Sequence, residues 1–240
     1  MRIPAVLFMT EQIKKDTEGL EAAAVIRYIA QNFGREAVFS TSFGIEDQVI
    51  THLLEEAGAE IDIFTLETGR LFPETYKVWN RTLEKYGLPI KAYYPDTGAV
   101  EKMVSEKGPS SFYNSVEDRK ECCYIRKIEP LKRAIQGYKV WITGIRADQS
   151  ANREDMTRVE WDEANRIVKI HPLFYWTLAD VEDFLKQNHI PYNSLHDKGF
   201  PSIGCQPCTR AIQPGEDFRA GRWWWEDKSK KECGLHRTTN

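Results

Sequence analysis

From residue 36 to about residue 189 the apolar period of this chain switches repeatedly between that of a strand and that of a helix, which leaves few architectures open. Residues 36–40, 61–66, 90–94 and 138–145 are short apolar runs of strand length. Between them lie helical stretches at 45–57, stopped by Gly58, at 73–86, closed by Gly87, and at 119–135, which Pro130 is expected to kink or restart. A further helix, 20–33, precedes the first strand, its alanines favouring that state. Strands separated by helices of ten or more residues require right-handed crossovers and a mainly parallel sheet. The fold class expected is therefore α/β, with helices on both faces. Residues 157–161 and 167–171 read as a hairpin ahead of a helix at 177–188, and beyond Pro191 the regular pattern stops. The chain accordingly divides into an α/β body, 1–209, and an irregular C-terminal segment, 210–240.

Composition narrows the function classes. A net charge of −3 gives no basic surplus of the kind used to wrap nucleic acid, though a small anionic ligand needs only a local cluster of cations. No run approaches the ~20 apolar residues of a membrane span. Residues 3–9 are apolar but end at Thr10-Glu11-Gln12 without a small-residue cleavage site, so a cytoplasmic protein is expected.

Three strand ends carry polar, glycine-bearing loops: Ser40-Thr41-Ser42-Phe43-Gly44, then Leu66-Glu67-Thr68-Gly69-Arg70, then Thr143-Gly144-Ile145-Arg146 running on to Ser150. Parallel sheets place ligands at the carboxyl ends of their strands, where helix-start amides and hydroxyls hold phosphate oxygens. A capped turn accounts for any one of these loops; three along one sheet edge favour a nucleotide pocket. The lysine of a Walker loop is missing.

The five cysteines fall into an adjacent pair, Cys122-Cys123, a Cys205-Gln206-Pro207-Cys208 motif and a solitary Cys233. The Cys-x-x-Cys motif alone suits zinc, a redox pair or a cluster. On a helix, successive side chains point ~100° apart, so adjacent thiols chelate a single tetrahedral ion poorly, whereas a cubane presents separate iron corners. The pattern favours [4Fe–4S] over four-cysteine zinc. Cys233 stands among Lys230, Lys231, His236 and Arg237, whose positive charge raises its thiolate fraction. His52, His171, His189 and His196 show no ligand spacing and read as structural.

Taken together, Cys122-Cys123 with Arg126-Lys127, Cys205-x-x-Cys208, the terminal Glu232-Cys233-Gly234-Leu235-His236 and the three strand-end loops resemble the cluster-containing adenylylsulfate reductases, within the sulfonucleotide reductase family. The likeness runs from about residue 36 to 237. It departs from the family pattern at Glu67, where aspartate is usual, at Phe72, where histidine is, and at Tyr124, where glycine is common.

The resemblance implies an adenine-nucleotide alpha hydrolase-like fold of the ATP-pyrophosphatase type. It implies reduction of adenosine 5′-phosphosulfate to sulfite and AMP, for cysteine biosynthesis, through an S-sulfocysteine on Cys233 that thioredoxin resolves. Cys122, Cys123, Cys205 and Cys208 would hold a [4Fe–4S] cluster that organises the pocket rather than carrying electrons. His236 and Lys127 would assist Cys233. Substrate contacts would fall on Ser40, Ser42, Phe43, Gly44, Leu66, Thr68, Gly69, Arg70, Arg126, Gly144, Arg146, Arg219, Arg222, Trp223 and Arg237. Cations among them would hold a thiolate beside a dianionic phosphosulfate. The 25 positions from Cys208 to Cys233 span at most ~80 Å, enough for a tail that closes for the first step and opens to thioredoxin for the second. A homo-oligomer is compatible with the sequence. Three other readings compete: a reductase of the 3′-phosphorylated substrate or of both, a tRNA sulfur-insertion enzyme, and a non-enzymatic zinc module.

Overall fold

A computed structural model describes residues 5–149 and 156–226. At its centre is a six-stranded sheet in the order β3-β2-β1-β4-β6-β5. The strands are β1 (Ala37–Ser40), β2 (Asp62–Leu66), β3 (Ile90–Tyr93), β4 (Val140–Ile142), β5 (Val159–Asp162) and β6 (Ile167–Ile170). All neighbours run parallel except β5 and β6, which form the expected hairpin with Trp161 opposite Val168. From β1 the chain steps outward to β2 and β3, then returns to place β4 on the other side of β1. The loops leaving β1 and β4 therefore part in opposite directions and open a crevice at their carboxyl ends.

Strand residues alternate between two cores, as the twofold side-chain period requires. Ala37 and Phe39 of β1, Val140 and Ile142 of β4, and Val168 and Ile170 of β6 face one core. It is completed by α1 (Ala5–Thr17), α2 (Ala22–Asn32), α3 (Ile45–Glu56) and α8 (Leu178–Gln187). Val38, Phe64, Trp141 and Ile167 face the other, against α7 (Glu129–Ile135). In this second layer Lys169 pairs with Asp162 at 2.6 Å, both nearly inaccessible, and its ammonium lies 5.0 Å from the Trp141 ring. Helix α4 (Pro73–Tyr86) starts on a proline and ends at Gly87, in the left-handed conformation that a glycine tolerates (φ 64°).

Two helices have no counterpart in the sequence reading. Among the described side chains, the only fully buried apolar one in α1 is Ile13, and in α5 (Thr97–Lys107) it is Met103, so these show no clear apolar stripe. The signal for α5 was its cap, Asp96, which accepts from the Ala99 amide at 2.8 Å. The helix expected at 119–135 is three pieces. Ser115 caps α6 (Val116–Cys123), a π-helical turn occupies Tyr124–Ile128, and α7 follows. The wide turn ends just before Pro130, which has no N–H to give the Arg126 carbonyl. Beyond α8 the chain forms loops and short turns through residue 226. Residues 209–223 pack on the body through a bridge between Thr209 and Arg222 and a bond from the Trp223 amide to the Cys208 carbonyl (3.1 Å). Among the described residues, no helix is long and apolar enough to cross a membrane.

Helix α8 opens with a reciprocal capping box: Thr177 Oγ1 accepts from the Asp180 amide and Asp180 accepts from the Thr177 amide. Thr177→Ala removes half of it and should cost about 1 kcal/mol, read as a lower urea midpoint with an unchanged slope.

Candidate functional site

The carboxyl ends of β1, β2 and β4 meet at one cleft of about 260 Å³. Its floor is made of Ser40 to Gly44, Leu66, Thr68, and Thr143 to Ile145; Asn193, His196, residues 201–204, Phe218, Arg219 and Arg222 close the far side. Ser40 is oriented by the Trp141 indole, which donates to its Oγ at 2.9 Å. Phe43 adopts a left-handed backbone (φ 59°), unusual for a residue with a large side chain, and is held there by full burial and by stacking on Trp79 at 5.2 Å.

A buried carboxylate braces this floor. Asp47, in the first turn of α3, accepts from the Ser42 amide at 2.6 Å and from the Ser42 hydroxyl at 2.7 Å. The Ser42 proton therefore points to Asp47, leaving its lone pairs for a ligand. A methyl group on Gly144 would lie 2.3 Å from Asp47 Oδ1, so only glycine fits at that point of β4's exit loop. Burial pushes the Asp47 carboxyl up to about 6, against the pull of the Ser42 donors and with Glu46 adding to the rise.

Arg146 does not line the cleft. It is buried, donates to Glu46 at 2.9 Å and contacts Asp148, so its charge is already neutralised. Glu46 also accepts from Gln149 at 2.7 Å, which ties the loop after β4 to the start of α3. Arg70, Gly69, Arg126 and Trp223 also lie off the cleft wall. Arg70 reaches the Pro109 carbonyl and stacks over Phe112; Gly69 donates to Glu67 at 2.6 Å; Arg126 donates to the Thr68 carbonyl at 2.6 Å. Trp223 is buried in the cysteine cluster described next.

Cys122, Cys123, Cys205 and Cys208 gather in one apolar cluster with Met103, Phe112 and Trp223, none of them in a disulfide. Helix α6 delivers the first two from its last turn, and the Gln206–Cys208 turn delivers the others. Burial pushes the Cys208 thiol up to about 12, with Cys205 and Cys123 adding to the rise and Lys127 and Arg222 opposing it. Cys122 is likewise raised by burial, against Arg126 and Arg70. Cys205 donates to Thr68 Oγ1 at 3.4 Å, a direct link between cluster and cleft.

The donor set fits an iron–sulfur cube. Metal binding removes the thiol protons that burial otherwise retains, and the cations around the thiols offset the negative charge so created. Among the described residues, Nε of Arg126, Nε of Arg222 and Nε1 of Trp223 are buried donors without a protein acceptor, as expected beside sulfur acceptors. Among the described residues, no three His, Cys, Asp or Glu side chains are arranged for a single metal ion; a cube distributes its ligands over separate irons. Cys233, His236 and Arg237 lie outside the described residues.

Comparison with known proteins decides the family. The profile of the phosphoadenosine phosphosulfate reductase domain matches residues 36–211. The chain belongs to the phosphoadenosine phosphosulfate reductase family. It is 51% identical over 201 residues to an adenosine 5′-phosphosulfate reductase of Burkholderia cepacia, covering 84% of this chain and 80% of the relative. It is 47% identical over 236 residues to the protein so named in Allochromatium vinosum, covering 95% and 92%. Among solved structures, a phosphoadenylyl-sulfate reductase from Candida auris, in a phosphate complex, superposes with a TM-score of 0.73 at 25% identity, covering 85% of this chain and 96% of that one. Yeast FAD synthetase shares the fold, with a TM-score of 0.55 at 16% identity and coverage of 88% and 77%. The family's adenine-nucleotide alpha hydrolase-like fold is thus the one seen here.

Sequence reasoning missed several residues of this reductase's cleft. Asp47 was unmarked because a Glu46-Asp47 pair in a first helical turn reads as ordinary dipole complementation. His196, read as structural, lines the cleft, with Nε2 buried and unbonded among the described residues and the imidazole pKa lowered by burial. No local pattern marks it, since it arrives on a loop 130 positions beyond Leu66.

The raised Asp47 pKa has a consequence for stability. Between its unfolded value near 4 and about 6, the folded chain binds this proton more tightly than the unfolded chain does. The stabilisation is full below that window and lost as pH rises through it. Asp47→Asn keeps an acceptor for Ser42 and should flatten the dependence of the urea midpoint on pH between 4 and 6.

Proposed function

We propose that this protein is an adenosine 5′-phosphosulfate reductase that releases sulfite and AMP. The observation carrying the reading is that Lys127 and Arg222 belong to two places at once: both line the cleft and both act on the buried Cys208 thiol. Cations shared between a nucleotide-sized cleft and four clustered thiols suit a substrate bearing adjacent phosphate and sulfate charges. The closely similar relatives bear the same name.

In this reading the amides at the start of α3 and the loop after β4 receive the phosphate, while Leu66 and Thr68 line the nucleotide's side of the cleft. Lys127, Arg219 and Arg222 face the sulfate and lower the repulsion between it and an incoming thiolate. Cys122, Cys123, Cys205 and Cys208 would hold a [4Fe–4S] cluster, whose contribution when bound is local charge and a rigid pocket wall. The Cys233 thiolate attacks the substrate sulfur, a sulfur–sulfur bond forms, and the bond from sulfur to the phosphate oxygen breaks, with AMP taking the electron pair. A thiolate of thioredoxin then attacks Cys233 Sγ, sulfite leaves with its electron pair, and the second thioredoxin thiol closes a disulfide and restores the Cys233 thiolate. AMP leaves as a stable anion, so no strong general acid is required. His236 and Arg237 would stand beside the nucleophile. We place this activity in the cytoplasm, without nucleic acid or membrane as partner, and compatible with a homo-oligomer.

Mass spectrometry of the iron-replete protein mixed with adenosine 5′-phosphosulfate, without reductant, should show a sulfonate adduct on Cys233 alone. Cys233→Ser should abolish sulfite release while iron content is retained. Sulfite release at an undiminished rate from that variant would end this reading. A faster rate on the 3′-phosphorylated substrate would transfer it to that nucleotide.

A further inference from the structure

Each cysteine of the adjacent pair has an arginine of its own, four positions away. Arg126 follows Cys122 and hydrogen-bonds to it; Arg119, on α6, precedes Cys123 by one helical turn and hydrogen-bonds to that one. A guanidinium carries donors only, so in both contacts the sulfur accepts. The two arginines are held differently. Arg126 donates to the Thr68 carbonyl beside the cleft. Arg119 gives Nε and Nη2 to the two carboxylate oxygens of Glu226 at 2.8 and 2.9 Å, and the side chains of that pair are 2% and 3% exposed. Its guanidinium also lies 4.8 Å from the centre of the Trp223 ring, itself buried in the cysteine cluster. A carboxylate along one edge and an indole over one face fix the plane of the guanidinium, and the Cys123 sulfur is its third contact.

Stability alone accounts poorly for this arrangement. A buried ion pair desolvates two charges, and apolar replacements of similar volume are often as stable or more so. Added positive charge accounts for it no better. Arg126, Arg70, Lys127 and Arg222 already act on the buried thiols, and the charge of Arg119 is balanced by Glu226. What the pair supplies is a donor aimed in one direction. A thiolate that ligates iron keeps lone pairs, and a fixed N–H on one of them sets where the sulfur stands and tunes its bond to the metal. We infer that Arg119, locked by Glu226, is a positioning residue for the iron–sulfur site, fixing the Cys123 sulfur by a hydrogen bond and so retaining the iron that it holds. This rests on the four-cysteine cluster proposed above.

Two variants test this in the full chain, loaded with iron and sulfide under anaerobic conditions. Arg119→Lys keeps the charge and loses the planar fork that meets carboxylate and sulfur together. Arg119→Met combined with Glu226→Leu replaces the pair by apolar groups of similar volume, a change that buried pairs tolerate, and it carries the test if the single variant does not fold. Measured are the rate at which a ferrous chelator removes iron and the stretching bands of the iron–cysteine bonds in resonance Raman spectra. The expected result is iron lost roughly ten- to a hundred-fold faster in both variants, with an iron–cysteine band displaced from its position in the unaltered chain.

Unchanged rates and bands, in whichever variant folds, overturn the positioning role and leave the four cysteines as ligands. Faster loss with every band unmoved assigns the pair to the general stability of this region and also overturns it. If Arg119→Lys matches the unaltered chain while the double variant loses iron, charge rather than a directed bond is at work, and the inference fails again. An unaltered chain that takes up no iron, or takes up zinc in its place, removes the cluster itself, and the inference with it.

Discussion

The pairing of β1 with β4 is the constraint on which the other features depend. These strands are 103 residues apart where they pair, Phe39 opposite Ile142, yet they lie side by side as the two innermost strands. Their neighbours fan outward in opposite directions, so the loops that leave them cannot pack together and a crevice must remain. Asp47 and Gly144 meet across that crevice at a separation that admits no side chain on the glycine. The pocket floor is rigid because the sheet beneath it has strand side chains buried on both faces.

Charge is distributed along the site in opposite senses. At the α3 end, the buried acids Glu46 and Asp47 are matched by Arg146 and by the Ser42 donors, so little free positive charge remains there. At the other end, Lys127, Arg126, Arg222 and Arg70 surround thiols that burial would keep protonated. In the function proposed, a dianionic ligand would be drawn toward this second end, with its nucleotide over the sheet and its oxidised sulfur toward the cysteines.

The division between cleft and cysteine cluster is less sharp than the names suggest. Thr68 lines the cleft, gives its carbonyl to Arg126 and accepts from Cys205 through its hydroxyl. The π-helical turn between α6 and α7 carries Arg126 and Lys127, and its widened backbone separates two successive cations so that one faces the Thr68 carbonyl and the other the cleft.

The alternation of apolar periods determined the α/β architecture, because strand and helix periods are local properties that survive without knowledge of neighbours. The glycine-bearing loops at 40–44, 66–70 and 143–150 were legible as strand ends for the same reason, and the spacing of Cys122, Cys123, Cys205 and Cys208 declared a common purpose. What only the tertiary structure decided was which polar groups remain available. Arg146 reads in the sequence as a substrate contact, and the fold pairs it with Glu46, 100 positions away; His196 reads as structural, and the fold sets it in the cleft wall. Whether a charge is spent or free depends on partners brought from distant parts of the chain, and a pattern read along the chain carries no term for that distance.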